Sequence, residues 1–219
     1  MDQSLVKNLE DIKSTLSPSV TLVAVSKTKP ISNIEILYSV GQRIFGENRI
    51  EELVEKQAAL PDDIEWHMIG HLQSKKVKKI APFISLIHGV DSIKLLKEIN
   101  KQAEKNNRII DCLLQFHIAK EESKFGLSLN EFNNLINSDS FKGLNNISIK
   151  GVMGMATFTE DQNQIRKEFK TLKKISEAVK ESFPMVNIVS MGMSGDYLLA
   201  IEEGSTMIRV GSSIFGNRK

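Results

Sequence analysis

A chain of 219 residues, 41% hydrophobic and 26% charged, is long enough for one sizeable core, short for two, and ordinary for a globular protein. Its 29 Lys and Arg nearly balance 27 Asp and Glu, and a net charge of +2 gives no electrostatic case for a nucleic-acid partner. No apolar stretch approaches the roughly 20 residues that span a bilayer, so no membrane is expected. The polar, partly acidic N-terminus lacks a signal-peptide layout, which points to the cytoplasm.

A helix-like stretch near 3–16 leads the chain. Strand-like runs then occur near 20–26, 43–46, 65–70, 85–90, 109–118, 147–155, 185–193 and 206–210. Helix-like segments fall between them, at 31–41, 48–60, 73–81, 92–106, 129–137, 161–182 and a short one near 195–203. Strict alternation argues for a parallel α/β sheet, and about eight units in this length favour a closed (β/α)8 TIM-type barrel over an open doubly wound sheet. Pro18, Pro30, Pro61, Pro82 and Pro184 all fall between proposed elements, where a missing N–H does least harm. No linker or composition break interrupts residues 1–219, so one domain is expected. The lone cysteine, Cys112, lies in an apolar run and reads as a small buried residue. The basic cluster Lys75-Lys-Val-Lys-Lys79 reads as a solvated helix face, with anion attraction as the alternative.

Lys27 ends the first run, Val20-Thr-Leu-Val-Ala-Val-Ser26, and Pro30 stops it. Alternation puts Thr21, Val23, Val25 and Lys27 on one side and Leu22, Ala24 and Ser26 on the other. A lysine in line with the core face, at the C-terminal end of a strand, sits where α/β barrels keep their chemistry. Taken alone, it also suits a lysine that snorkels to solvent. The last strand, Met207-Ile-Arg-Val210, points Met207 and Arg209 inward by the same rule. A buried arginine needs an acceptor, either a structural acidic partner or a ligand. Gly211, Ser212 and Ser213 follow directly, an arrangement suited to an anion at a frequent phosphate position of such barrels. Ser194, Gly195 and Asp196 either cap the next helix or supply a second wall for that phosphate.

His67 and His71 do not read as a metal pair. In strand and turn they lie roughly 13 Å apart, whereas a shared zinc needs about 2 Å from each ligand. Neither a Walker loop nor a G-x-G-x-x-G follows a strand. In a closed barrel the first and last strands are neighbours. An amine, a guanidinium and a phosphate cradle then surround one mouth, a set that suits an aldehyde cofactor with a phosphate arm, pyridoxal 5′-phosphate.

At AVSKTKP (24–30), FGEN (45–48), WHMIGHLQSKK (66–76), HGVD (88–91), KGVMGMAT (150–157), SMGMSGD (190–196) and MIRVGSSIFG (207–216), the chain resembles the pyridoxal-phosphate homeostasis protein family (YggS/PROSC type). The resemblance implies the single barrel of alanine-racemase-like enzymes without their additional β domain, for which a chain ending at Lys219 leaves no room. It implies that Lys27 carries the cofactor as an imine (Schiff base), that Ser194, Gly211 and Ser212 bind the phosphate, and that Arg209 faces the pyridine nitrogen. Asn48 and His67 would lie near the ring or its hydroxyl, with Met191 and Met153 as packing neighbours. Gly89 stands where the family leads one to expect a small hydroxyl residue, Ser212 where threonine is common, and His117 where asparagine is expected.

An arginine at the ring nitrogen discourages its protonation and weakens the electron sink that amino-acid chemistry uses. Racemisation by two bases also needs an acid–base group opposite the lysine, and neither Tyr38 nor Tyr197 is an obvious one. The expected function is therefore a carrier in vitamin B6 homeostasis, with no catalytic residue assigned. It would be a monomer that passes cofactor to pyridoxal-phosphate-dependent apoenzymes. A weak racemase is the alternative, and a barrel acting on another phosphorylated molecule is a third reading.

Overall fold

The strands predicted from alternation close on themselves. In the computed structural model, which describes residues 3–121 and 125–216, eight parallel strands form a closed barrel in sequence order. They are β1 (Thr21–Val25), β2 (Ile44–Glu47), β3 (Glu65–Met68), β4 (Leu86–Val90), β5 (Ile110–Gln115), β6 (Ile147–Met153), β7 (Ile188–Ser190) and β8 (Met207–Val210). β1 pairs with both β2 and β8, which closes the ring.

The connecting helices are α1 (Gln3–Ser14), α2 (Ile31–Ser39), α3 (Ile50–Ala59), α4 (Ile93–Lys105), α5 (Leu129–Asn137), α6 (Asp139–Lys142), α7 (Gln162–Ser182), α8 (Tyr197–Glu202) and α9 (Ser212–Phe215). Local chemistry sets several of their starts. The Ser128 hydroxyl accepts from the Glu131 N–H while Glu131 reaches back to the Ser128 N–H, a capping box that opens α5. Asp161 accepts from the Asn163 and Gln164 N–H groups at the start of α7. The leading helix α1 buries Leu5, Leu9 and Ile12, four and three residues apart on one face. Its Asn8 Nδ2 donates to Ile214 O at 3.0 Å, which ties the chain's start to the segment after β8.

One expected helix takes a tighter form. Residues Ser74–Lys79 make a 3₁₀ helix instead of an α-helix. Four of its six residues are lysines, and Val77 is the one buried side chain, so no apolar stripe stabilises a longer helix, and Pro82 follows.

Two apolar layers result. Leu22, Ala24, Phe45, Trp66, Ile208 and Val210 face the helices. Val23, Leu86, Leu113, Met153 and Met207 fill the barrel interior with Ile44, Ile69, Met155 and Ile188. The register sets Val23 beside Arg209 and Thr21 beside Met207, so Arg209 points inward as alternation requires. At Gly151 a Cβ would come within 1.9 Å of Ile188 O, so glycine is what lets β6 and β7 approach. Among the described residues, no helix is long and apolar enough to cross a membrane.

Candidate functional site

Lys27 lies two residues past β1, half-buried, on a short loop that a buried charge network supports. Glu47 ends β2 pointing away from the barrel interior, toward α3. Lys56 of α3 is 3% exposed and donates to Ser26 O at 2.7 Å, Glu47 Oε1 at 2.7 Å and Glu52 Oε1 at 2.6 Å. Ser26 Oγ donates to the same Glu47 oxygen at 2.6 Å, and the Thr28 N–H donates to Glu52. Thr28 has φ of 64°, unusual for a β-branched residue, so the loop's shape is imposed by its partners. On the other side of the loop, Lys29 Nζ donates to Phe215 O at 2.9 Å and Gly216 O at 3.1 Å. Burial pushes the Glu47 carboxyl up, with hydrogen bonds from Lys56 and Ser26 opposing. Replacing Lys56 by methionine strands Glu47 as an uncompensated buried charge. The expected cost is about 3–5 kcal/mol, read as a lower denaturant midpoint, and an unchanged midpoint would show that Glu47 is neutral.

Arg209 is buried, and uncharged oxygens hold it. Nη1 donates to Ser190 O at 2.9 Å and Ser190 Oγ at 2.6 Å, and Nη2 donates to Gly154 O at 3.1 Å. Of its five donors, two remain after these three bonds among the described residues. Burial pushes its pKa down to about 10, with Asp196 opposing, so it stays cationic at neutral pH.

Beside it, Ser194 Oγ accepts from the Gly211 N–H at 3.1 Å and the Ser213 N–H at 3.3 Å. A Cβ on Gly211 would sit 3.2 Å from Val25 O and 3.3 Å from Val25 Cβ, so the bare backbone matters at this close approach. Asp196 accepts from the Met193 N–H and starts α8, which fixes the loop that carries Ser194. These parts share one cleft of about 480 Å³ at the C-terminal mouth of the barrel.

Six of the eight residues expected at a cofactor line this cleft: Lys27, Asn48, Ser194, Arg209, Gly211 and Ser212. The other two lie elsewhere. Met191, fully buried, belongs to the layer between strands and helices, because alternation along β7 sends Ser190 inward and Met191 outward. His67 points into the barrel below the cleft, where its Nδ1 lies 3.1 Å from His88 Nε2. Burial lowers the pKa of His67 to about 3. His71 is separate, 3.7 Å from Asp91, and no metal-binding cluster exists among the described residues.

Asn48 Oδ1 is buried at the cleft with no hydrogen-bond partner among the described residues. Gly89 proves sterically bound to its place: a Cβ there would lie 2.8 Å from Gly70 O and 3.3 Å from Gln115 Oε1. Sequence reasoning missed Lys56, Glu52, Ser190 and His88. The Glu52–Lys56 spacing of four was a visible signal for a pair on one helix face, although not for its burial.

Comparison with known proteins adds to this geometry. The family model described as "Alanine racemase, N-terminal domain" matches residues 2–219. A pyridoxal phosphate homeostasis protein of Synechocystis sp. is 38% identical over 211 residues, covering 95% of this chain and 96% of that protein. Another, from Aquifex aeolicus, is 36% identical over 200 residues, covering 90% of this chain and 87% of that one. The PipY protein of Synechococcus elongatus, solved with PLP bound, superposes with a TM-score of 0.88 at 34% identity, covering 97% of this chain and 100% of that one. An alanine racemase of Clostridium difficile shares the fold, with a TM-score of 0.81 at 15% identity over 99% of this chain and 56% of its own.

Proposed function

This chain belongs to the pyridoxal phosphate homeostasis protein family, and we propose that it binds pyridoxal 5′-phosphate reversibly in the cleft at Lys27, as an intracellular carrier and buffer of the cofactor. The observation that carries this reading is the convergence of Lys27, Arg209 and the Ser194–Gly211–Ser212 cradle on one cleft. When bound, the cofactor supplies an aldehyde that condenses reversibly with an amine and loses water.

The residues present fit that group. Lys27 is half-buried at the mouth and offers the amine. Ser194 Oγ accepts from the Gly211 and Ser213 N–H groups, which fix the hydroxyl at the cleft with its own proton to donate to a phosphate oxygen. Arg209 has donors left for a ring nitrogen, and as a cation it keeps a proton off that atom. The unpartnered Asn48 Oδ1 is an acceptor for the ring hydroxyl.

Carriage without catalysis is favoured because neither tyrosine is placed to serve as a second acid–base group. Tyr38 donates its hydroxyl to Asp63 at 2.7 Å, under the Arg43 guanidinium. Tyr197 packs against the strand–helix layer. In this reading residues 1–219 form one cofactor-binding domain, monomeric and cytoplasmic, that hands cofactor to apoenzymes. The buried lone Cys112 agrees with a reducing compartment. Turnover of a single-enantiomer amino acid by the loaded protein, lost in Lys27→Ala, would replace this reading with a racemase.

The test is the visible spectrum of protein mixed with pyridoxal phosphate, then borohydride reduction and peptide mapping. A lysine-adduct band and a label on Lys27 are expected. A label scattered over surface lysines would overturn the assignment. Ser194→Ala should weaken cofactor binding by about 1–3 kcal/mol, roughly 5- to 150-fold, because a charge-assisted hydrogen bond is lost. Titration of both proteins with cofactor measures this, and equal affinity would place the phosphate elsewhere.

A further inference from the structure

Below the cleft, four buried side chains from four different strands form a continuous hydrogen-bonded file. Arg209 Nη1 lies 2.6 Å from Ser190 Oγ, Ser190 Oγ lies 3.2 Å from His88 Nδ1, and His88 Nε2 lies 3.1 Å from His67 Nδ1. Their exposures are 4%, 0%, 0% and 3%, so water competes for none of these bonds. The functional reading above uses only the first member.

The Arg209 charge sets the direction of the file. A guanidinium can only donate, so Ser190 Oγ accepts from Arg209; its second lone pair could also accept from His88, but the cation favours the arrangement in which Ser190 turns its own proton toward His88. His88 Nδ1 must then be a bare acceptor, and its proton sits on Nε2, facing His67. His67 Nδ1 accepts in turn, which leaves its proton on Nε2. Every dipole in the file therefore presents its negative end toward Arg209. This accounts for a buried guanidinium whose hydrogen bonds go to uncharged oxygens. A proton added to either histidine would set a second cation near Arg209 and break the file. Burial opposes that addition at both rings, and at His88 the nearby His67 and Arg209 oppose it too.

We propose that Ser190, His88 and His67 are positioning residues that form a one-way relay, fixing the orientation of Arg209 and polarising it toward the cofactor's ring nitrogen. Serine is suited to the second place because its hydroxyl accepts and donates at once. Its backbone carbonyl grips the same Nη1, so one residue sets both the position and the polarisation of the guanidinium. The inference rests on the proposed function for its purpose, but the relay itself exists without cofactor.

The first measurement is therefore made on cofactor-free protein. Side-chain nitrogen NMR should show His67 and His88 as neutral Nε2–H tautomers, unchanged from pH 8 to pH 5.5. An Nδ1–H tautomer at His88, or a histidine in the file that titrates near 6.5, would overturn the relay. The second is Ser190→Ala, with Ser190→Thr as the hydroxyl-keeping partner. The alanine variant should release the His88 tautomer and speed Arg209 side-chain N–H exchange at least about tenfold, and threonine should restore both. Unchanged exchange in the alanine variant would mean that the carbonyls alone orient Arg209. In loaded protein, Ser190→Ala should shift the pH dependence of the adduct's absorbance while Lys27 remains labelled; an unshifted profile would sever the relay from the ring. If the parent takes up no cofactor at all, the carrier reading fails, whereas the NMR result on the relay stands.

Discussion

Lys27→Ala is expected to abolish the borohydride-stable label and the lysine-adduct absorbance band completely, while the phosphate cradle still captures some cofactor noncovalently. The reasoning is geometric. The cleft is lined by two lysines, Lys27 and Lys29. Lys29 is committed to the Phe215 and Gly216 carbonyls, so its amine serves as a strap between the β1–α2 loop and the C-terminal end of α9. Lys27 sits on the loop that Lys56, Glu47 and Glu52 hold from beneath, and it lines the same cleft as Arg209. A label that persists in Lys27→Ala and maps to Lys29 would show that the strap exchanges its carbonyls for the cofactor. Dialysis should then empty the alanine variant far faster than the parent, since only the phosphate and ring contacts remain.

Acid should destabilise this protein through two buried histidines of the barrel interior. His67 and His88 are buried and neutral, with the pKa of His67 pushed down to about 3 and that of His88 well below its ordinary value. In the unfolded chain both titrate near about 6.5. Their contribution is thus fully present above roughly pH 6.5 and is lost as the pH falls toward the folded-state values, because the unfolded chain binds the protons and the folded one does not. The limiting slope is about 1.4 kcal/mol per pH unit for each histidine, or about 2.7 for both, a large share of a typical stability of about 5–15 kcal/mol. Proton uptake on unfolding at pH 5 should be about two per molecule, and near zero for these sites in a His67→Gln, His88→Gln protein. Uptake near zero in the parent would show that the histidines are already protonated in the fold.

The sequence alone determined most of the architecture. Period-two alternation in short runs ending at Pro30 or at glycine, and apolar stripes between them, place all eight strands and α1 through α5 within a few residues. It also determined which side Arg209 faces, because alternation depends only on the backbone. Six of the eight residues expected at a cofactor line the one cleft for the same reason: each stands at or just past a strand's C-terminal end, where a parallel barrel opens. Met191 departs because the strand's alternation, not its proximity in sequence to Ser194, decides its side.

Only the tertiary structure decided what lies underneath. Nothing in the sequence marks Lys56 as buried, and only the docking of α3 against β2 and the loop after β1 seats it on Glu47 and Ser26. His67, His88, Ser190 and Arg209 come from β3, β4, the end of β7 and β8, separated by up to 142 positions, and carry no spacing signal in common. Closure of the ring brings them into one file. A hydrogen bond needs atoms within about 3 Å, and sequence periodicity specifies faces and not distances across a barrel.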